Sequence, residues 1–262
     1  MSFSVIVPVY NEAENIQPLL QELADSLSDG PMFEVIYVND DSDDDSAQKL
    51  TEAAGIYPWL RIIEHQQRSG QSAALVTGIK AAQYPVIVTL DGDGQNDPDD
   101  IPVLMQMYVD DASTAPLLLA GHRVTRRDSI SKRLSSRIAN AVRSAFLGDG
   151  VPDTGCGLKV FPRELFLQLP CFDHMHRFLP ALVKSHGAVV KSVAVGHRSR
   201  QRGVTKYGVG NRLWVGIEDM LGVKWLMQHP PLNEDNNAGW LHKRGLFWLK
   251  KRHCEVASSE VK

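Results

Sequence analysis

Cysteine is scarce in this chain of 262 residues: Cys156, Cys171 and Cys254 stand far apart, with no CxxC pair and no Cys/His cluster. That excludes a disulfide framework and a cysteine-based zinc site, and it suits a reduced, cytosolic compartment. No run of about 18 apolar residues occurs, so no transmembrane helix is expected. The N-terminal MSFSVIVPVYNEAEN lacks the basic region and small-residue cleavage site of a signal peptide. Charge of one sign is not in excess either. Lys and Arg total 28 against 31 Asp and Glu, a formal net charge of −3, and nothing there asks for a nucleic-acid partner. Glycine is missing from the first strand–helix turn, so there is no GxGxxG dinucleotide fingerprint, and no Walker A sequence appears.

What the chain does have is a rhythm. Short β-branched runs at Phe3–Val9, Phe33–Val38, Leu60–Glu64, Val86–Leu90 and Leu117–Ala120 alternate with amphipathic segments near 12–27, 44–54, 70–83 and 99–109. Such alternation predicts βαβ units: an α/β fold with a mostly parallel central sheet flanked by helices. Asn11 followed by Glu14 reads as a capping box opening the first helix. After residue 120 come a basic helix, a Gly/Pro-rich loop, further helices and one strand near 188–195. The segment 229–239, HPPLNEDNNAG, reads as a linker. The expected organisation is one domain over 1–228, in two parts, 1–120 and 121–228, divided where the rhythm changes. Residues 229–262 form a linker and a basic, aromatic tail.

Chemistry gathers where the strands end, the place where parallel sheets bind ligands. Three ends carry it: PVYNE at 8–12, NDDSDDD at 39–45 and DGDGQ at 91–95. Like charge at one strand end opposes folding unless something offsets it. Asp91 and Asp93 with glycine between them can turn both carboxylates toward one hard divalent cation, Mg2+ or Mn2+, with substrate phosphates completing the shell. An EF-hand is excluded, because Asn96 and Pro102 stand where glycine and glutamate are required. Asp97, Asp99 and Asp100 read as capping residues of the next helix. A phosphatase of the haloacid dehalogenase type puts its Asp-x-Asp on the first strand, whereas here the pair follows the fourth.

Read together, VIVPVYNE, VNDDSDDDS and LDGDGQNDP resemble the family 2 glycosyltransferases of GT-A fold, in the branch that makes polyprenyl-phosphate sugars. Dolichol-phosphate mannose synthase and bacterial undecaprenyl-phosphate glycosyltransferases typify that branch. The resemblance spans roughly residues 3–226. Further matches are Gly121-His122-Arg123, Asp153-Thr154-Gly155-Cys156-Gly157, His176-Arg177-Phe178 and the stretch RQRGVTKY at 200–207. Two departures are mild: Thr205 stands for serine, and Asp41 for the glycine of Asp-Asp-Gly-Ser.

The resemblance implies a division of labour within a catalytic domain over 1–228: a nucleotide-sugar-binding half over 1–120 and an acceptor-binding half over 121–228. Pro8, Tyr10 and Glu12 shape the nucleotide pocket, and Asp40 accepts a hydrogen bond from the base. Asp91, Asp93 and Gln95 hold the metal and the donor diphosphate. Arg123 and Arg133 contact the acceptor phosphate, Arg200 and Lys206 close over the donor, and Asp153 occupies the position of a candidate base. The expected reaction inverts the anomeric carbon of a nucleotide-diphosphate sugar, with a UDP-sugar favoured and GDP-mannose possible. A polyprenyl phosphate attacks at the membrane surface, and the product serves envelope glycan or lipid modification. The alternatives are transfer to a saccharide hydroxyl, and a non-catalytic nucleotide-sugar-binding subunit of a membrane complex.

The remaining segments bear on the membrane. Basic residues 133, 137 and 143 flank an apolar stripe at 130, 134, 138, 142 and 146. Leu213, Trp214, Ile217, Met220, Leu221 and Trp225 share a helical period, with Glu218 and Asp219 on the other side. The tail GWLHKRGLFWLKKRH mixes aromatic and basic residues as interfacial segments do. The expectation is a cytoplasmic protein held peripherally on the inner membrane, with room for an integral membrane partner. His174, His176 and His186 read as acceptor-loop or packing residues.

Overall fold

A computed structural model of the chain describes residues 1–123, 142–199 and 212–229. Strand β1 (Phe3–Val9), helix α1 (Ala13–Leu27), β2 (Phe33–Asn39), α2 (Ser46–Ala54), β3 (Leu60–Glu64), α3 (Gln71–Ala81), β4 (Val86–Thr89), α4 (Asp100–Val109) and β5 (Leu117–Arg123) alternate as expected. Then come a helical stretch at 142–147, here α5, β6 (Lys159–Pro162), α6 (Arg163–Leu167) and a 3-10 turn at Met175–Arg177. The order ends with α7 (Leu179–Ser185), β7 (Val189–Val195) and α8 (Arg212–Gln228).

The seven strands form one sheet in the order β3-β2-β1-β4-β6-β5-β7. All neighbours run parallel except β6, which is antiparallel to both β4 and β5. Strand β6 was not foreseen. It is four residues long and begins with a lysine, so it carries neither the length nor the apolar run that reveals a buried strand.

Alternate residues of the strands feed opposite faces. Ile6, Ile36, Val38, Ile87 and Phe161 pack with residues of α3, α6, α7 and α8. Val5, Val7, Val35, Val88 and Val160 pack with residues of α1 and α4. Both faces are buried, which is why these strands read as continuous apolar runs.

The first helix is not opened by a capping box. Asn11 adopts a positive φ of 53° outside the helix, and Glu12 at the N-cap makes no side-chain cap. The neighbouring β2–α2 loop caps α1 instead. Ser42 Oγ accepts the Asn11 N–H at 3.0 Å, Ser46 Oγ the Glu12 N–H at 3.1 Å and Asp44 Oδ2 the Ala13 N–H at 3.2 Å. Part of the aspartate run at 39–45 is therefore structural. Asp41, the departure from the family's glycine, sits at φ 58°, a backbone region that aspartate tolerates better than most residues.

Helix α4 begins at Asp100, with Asp99 at the N-cap making no side-chain cap. Asp97 accepts the Asp99 N–H at 3.2 Å and pairs with Arg198 at 2.6 Å, while Asp100 accepts the Gly196 N–H at 2.7 Å. These carboxylates fasten the segment after β7 to the loop after β4.

Two helical faces differ from expectation. On α5, Val142 is 56 % exposed whereas Arg143 is only 9 % exposed. The predicted stripe through 142 is therefore out of phase there. Arg143 turns inward because the 149–154 loop offers partners: Asp149 at 3.2 Å and the Val151 carbonyl at 2.6 Å, with Thr154 beside them. On α8, Ile217 and Leu221 are exposed and Asp219 is buried, the reverse of the expected faces at these positions. Among the described residues, no helix is long and apolar enough to cross a membrane.

Candidate active site

The carboxyl ends of β1, β2, β4 and β5 lie along one edge of the sheet, since these strands share a direction. Strand β6 runs the other way and starts at that edge, with Lys159 level with Thr89 of β4 and Ala120 of β5. Its approach carries Asp153–Gly157 over the strand ends. Together these segments bound a cavity of about 480 Å3, lined in part by Gln71, Asp91, Arg123, Asp153, Lys159 and His176.

At the β2 end, Asp40 is buried, and its carboxylate is already engaged. Oδ1 meets His65 Nδ1 at 2.8 Å and accepts the Ser69 N–H at 2.8 Å; Oδ2 accepts the Gly70 N–H at 2.7 Å. Burial alone would raise its pKa, but the hydrogen bonds from His65, Ser69 and Gly70 outweigh it and hold the carboxyl below its ordinary range. Asp40 thus shapes the 65–70 loop. That loop carries Arg68, whose guanidinium lies 4.0 Å from the centre of the Tyr10 ring, a cation–π distance. Glu12 is buried and accepts from Asn15 Nδ2 at 2.7 Å. Pro8 lies in β1, one residue before its end. Pro8, Tyr10, Glu12 and Asp40 are not among the residues that line the cavity.

At the β4 end, the Asp91–Gln95 loop presses against β1. A Cβ on Gly92 would stand 2.5 Å from Val9 Cγ1, so no side chain fits there. Asp93 Oδ1 accepts the Gln95 N–H at 3.1 Å, and Asp91 Oδ1 accepts from Gln71 Nε2 at 2.9 Å. Burial first, and the neighbouring Asp93 charge second, push the Asp91 carboxyl up to about 6, against the opposing pull of Lys159, Arg123 and Gln71. The Asp91 side chain lies directly over Gly157, where a Cβ would come within 2.3 Å of the carboxyl carbon. Two hard oxygen donors held so close that their charges raise a pKa are a donor set that suits Mg2+ or Mn2+. The described residues contain no group of three or more His, Cys, Asp and Glu placed to hold a metal ion.

Arg123 and Asp153, read separately in the sequence, form one fork-to-fork pair. Nε donates to Oδ2 at 2.7 Å and Nη2 to Oδ1 at 2.8 Å. Lys159 is buried, and its Nζ donates to the Cys156 carbonyl. Burial lowers the Lys159 pKa, while the Cys156, Asp91 and Asp153 groups oppose that shift. Arg133, Arg200 and Lys206 lie outside the described residues. Arg198, two residues before Arg200, is fixed to the site loop: its N–H donates to the Gln95 carbonyl at 2.9 Å.

Gln71, Ser72, Lys159, His176 and Arg177 line the cavity, and none was singled out as a site residue from sequence. A signal existed for two of them. Lys159 is a lone charge beside the apolar run Val160-Phe161, and Gln71 opens a helix behind a glycine at φ 92°. His176 reads from sequence as an acceptor-loop or packing residue, and Arg177 as part of a family match without a role of its own.

Comparison with known proteins adds relatives to this geometry. The model of the family described as glycosyl transferase family 2 matches residues 4–169. A dodecaprenyl-phosphate galacturonate synthase of Rhizobium johnstonii is 36 % identical over 239 residues, 87 % of this chain and 68 % of that protein. An undecaprenyl-phosphate 4-deoxy-4-formamido-L-arabinose transferase of Pectobacterium atrosepticum is 33 % identical over 207 residues, 78 % of this chain and 62 % of that protein. Among solved structures, glucosyl-3-phosphoglycerate synthase of Mycobacterium tuberculosis with Mn2+, UDP and phosphoglyceric acid superposes with a TM-score of 0.63. It is 19 % identical, over 88 % of this chain and 79 % of that one. A mannosyltransferase of Pyrobaculum calidifontis with GDP-Man and Mn2+ has a TM-score of 0.58 and 20 % identity, over 94 % of this chain and 71 % of that one. At such identities the structural likeness bears on the fold, and that fold is the GT-A arrangement expected from the sequence.

Proposed function

The chain belongs to glycosyltransferase family 2, and from that membership we propose that it transfers a sugar from a nucleotide-diphosphate sugar to a polyprenyl phosphate at a membrane surface. The observation that carries this reading is the convergence of Asp91, the Arg123–Asp153 pair and Lys159 on one cavity at the strand ends. The names of the two polyprenyl-phosphate relatives support the acceptor class. An integral membrane partner finds no support in these comparisons and is not carried forward.

In this reading the Tyr10, Glu12 and Asp40 cluster receives the nucleoside, and Asp91, Asp93 and Gln95 hold a divalent cation with the donor diphosphate. When bound, that cation stabilises negative charge on the leaving diphosphate. Gln71 fixes the orientation of Asp91. A phosphate oxygen of the acceptor attacks the anomeric carbon as the bond to the diphosphate breaks, and the configuration inverts. Arg123 and Arg133 attract and orient the acceptor phosphate; Arg200 and Lys206 supply charge on the donor side.

The Arg123–Asp153 pair favours a phosphate acceptor over a sugar hydroxyl. A hydroxyl needs a base, and the Asp153 carboxylate is engaged in a two-pronged ion pair with Arg123, an arrangement that suits orienting a cation better than taking a proton. A phosphate monoester, with a second pKa near ~6, is already mostly dianionic at neutral pH and needs no base. Asp153 then acts by holding Arg123 in place.

The test is thermal unfolding of the full chain with UDP or GDP, each with and without Mn2+. The expected result is a rise in midpoint with one nucleotide that depends on the metal, as binding to the folded state requires. A rise with neither would overturn the donor site. A rise independent of Mn2+ would overturn the metal assignment alone.

A further inference from the structure

Asp153 aims Arg123, yet Asp153 itself sits in a stretch, 148–158, that contains no helix or strand. A side chain from outside that stretch holds it. Arg143 of α5 is buried, and its guanidinium meets the loop at three residues. Nη2 donates to the Val151 carbonyl at 2.6 Å, Nη1 donates to the Thr154 hydroxyl, and Nε lies 3.2 Å from Asp149 Oδ2. Val151 and Thr154 stand on either side of Asp153. Asp149 completes the clasp, since its Oδ1 accepts the Val151 N–H at 3.2 Å. Val151 is thus held through both its carbonyl and its N–H, and Pro152 after it has a fixed φ. Gly148 and Gly150 both stand at φ 71°, the left-handed turns that bring Asp149 back to Arg143.

The clasp depends on the chemistry of arginine. Acceptors on three residues surround one planar group, and a guanidinium presents donors to all of them in a fixed fork. A buried ion pair of this kind is a poor source of stability, because desolvation offsets its attraction. Its effect is geometric: the residues before and after Asp153 are pinned to one side chain. Asp153 and Thr154 line the cavity, whereas Arg143 does not. Its influence on the cavity therefore passes through the loop.

We propose that Arg143 is a positioning residue for the acceptor phosphate: it holds the 149–154 loop so that Asp153 keeps Arg123 aimed at the cavity. The inference rests on the functional reading above and adds a residue to its acceptor side.

The test measures two affinities of the full chain by calorimetry: for farnesyl phosphate, a short polyprenyl phosphate, and for UDP with Mn2+. It compares wild type with Arg143→Met, Arg143→Lys and the milder Asp149→Asn, and closes a double-mutant cycle with Asp153→Asn. Arg143→Met is expected to weaken farnesyl phosphate about tenfold while UDP stays within about twofold. Arg143→Lys should keep part of the lost affinity. In the Asp153→Asn background, Arg143→Met should add almost nothing, because the pair it acts through is already broken. If Arg143→Met does not fold, Asp149→Asn carries the cycle in its place. Wild-type affinity for farnesyl phosphate in the variant that carries the cycle would overturn the proposal. So would losses that multiply in the double variant, which would make Arg143 a scaffold residue independent of Asp153. An equal loss for UDP and farnesyl phosphate would overturn it too. Failure of farnesyl phosphate to bind the wild type would instead overturn the acceptor reading, and this role with it.

Discussion

At the scale of single residues, the site stores repulsion. Asp91 has a pKa of about 6 because it is buried beside Asp93. The folded chain therefore keeps a proton there that the unfolded chain gives up above about pH 4. Stability falls as pH rises through that window, because the folded state binds more protons than the unfolded one. Replacing Asp93 with asparagine removes the neighbouring charge. Without metal, Asp93→Asn is expected to unfold about 1–3 °C higher than wild type at pH 7–8. The gain should shrink toward pH 4, where Asp91 is protonated in both proteins. The same variant should lose any Mn2+-dependent stabilisation by nucleotide. Parallel thermal scans across pH, with and without Mn2+ and nucleotide, check both arms. An unchanged midpoint at pH 8 would contradict the stored repulsion.

At the scale of elements, an ion pair ties helix α8 to the cavity wall. His174 stands at φ 65° just before the 3-10 turn, and its Nδ1 lies 3.0 Å from Asp219 Oδ2 on α8. The hydrogen bond to Asp219 raises the His174 pKa; burial opposes the shift, and the Asp173 and Asp219 charges add to it. A raised histidine stabilises fully below its ordinary value of 6.5, and that support is lost as pH climbs through the raised one. Amide exchange in α8, corrected for the intrinsic pH effect, should therefore accelerate as pH rises above that value. His174→Gln should flatten the response, and a pH-dependence unaltered in that variant would exclude the pair as its source.

This element also shows where sequence legibility stopped. The parallel strands and their helices were readable because both faces of the sheet are buried and the pattern is unbroken. The ends of β1, β2 and β4 were readable because acidic clusters stand out after apolar runs. Asp219 was assigned to the solvent side of α8 by periodicity alone. A charged residue can sit inside when a partner 45 positions away in sequence accepts it. Arg143 failed the same way, and the capping box failed because a neighbouring loop supplied better acceptors than Glu14. Tertiary partners, invisible in a linear pattern, decided each of these cases.

At the scale of the whole molecule, no described helix is long and apolar enough to cross a membrane. The tail beyond residue 229 lies outside the described residues, and its sequence carries the expectation of surface binding. Reversing Lys250, Lys251 and Arg252 to glutamate should lower binding to vesicles containing anionic lipid by at least tenfold, at roughly 1 kcal/mol per basic residue lost. Nucleotide binding should be untouched. Cosedimentation at two salt concentrations checks this, and retained vesicle binding would move the contact elsewhere.

The reversed strand β6 carries a consequence for biogenesis. Strands β3, β2, β1 and β4 are all complete by residue 89, and their sheet can assemble while the ribosome is still at work. Its outer edge at β4 stays open until Lys159–Pro162 emerge, more than sixty residues later. Strand β5 is made in between, yet β6 and β7, its neighbours in the finished sheet, both come later. A nascent chain at that stage exposes the outer edge of β4 and both edges of β5, the template on which polypeptides aggregate. The residue that closes the gap, Lys159, also lines the cavity. A chain long enough to bring it into the sheet closes the β4 edge and one edge of β5 at the same moment that its cavity acquires Lys159.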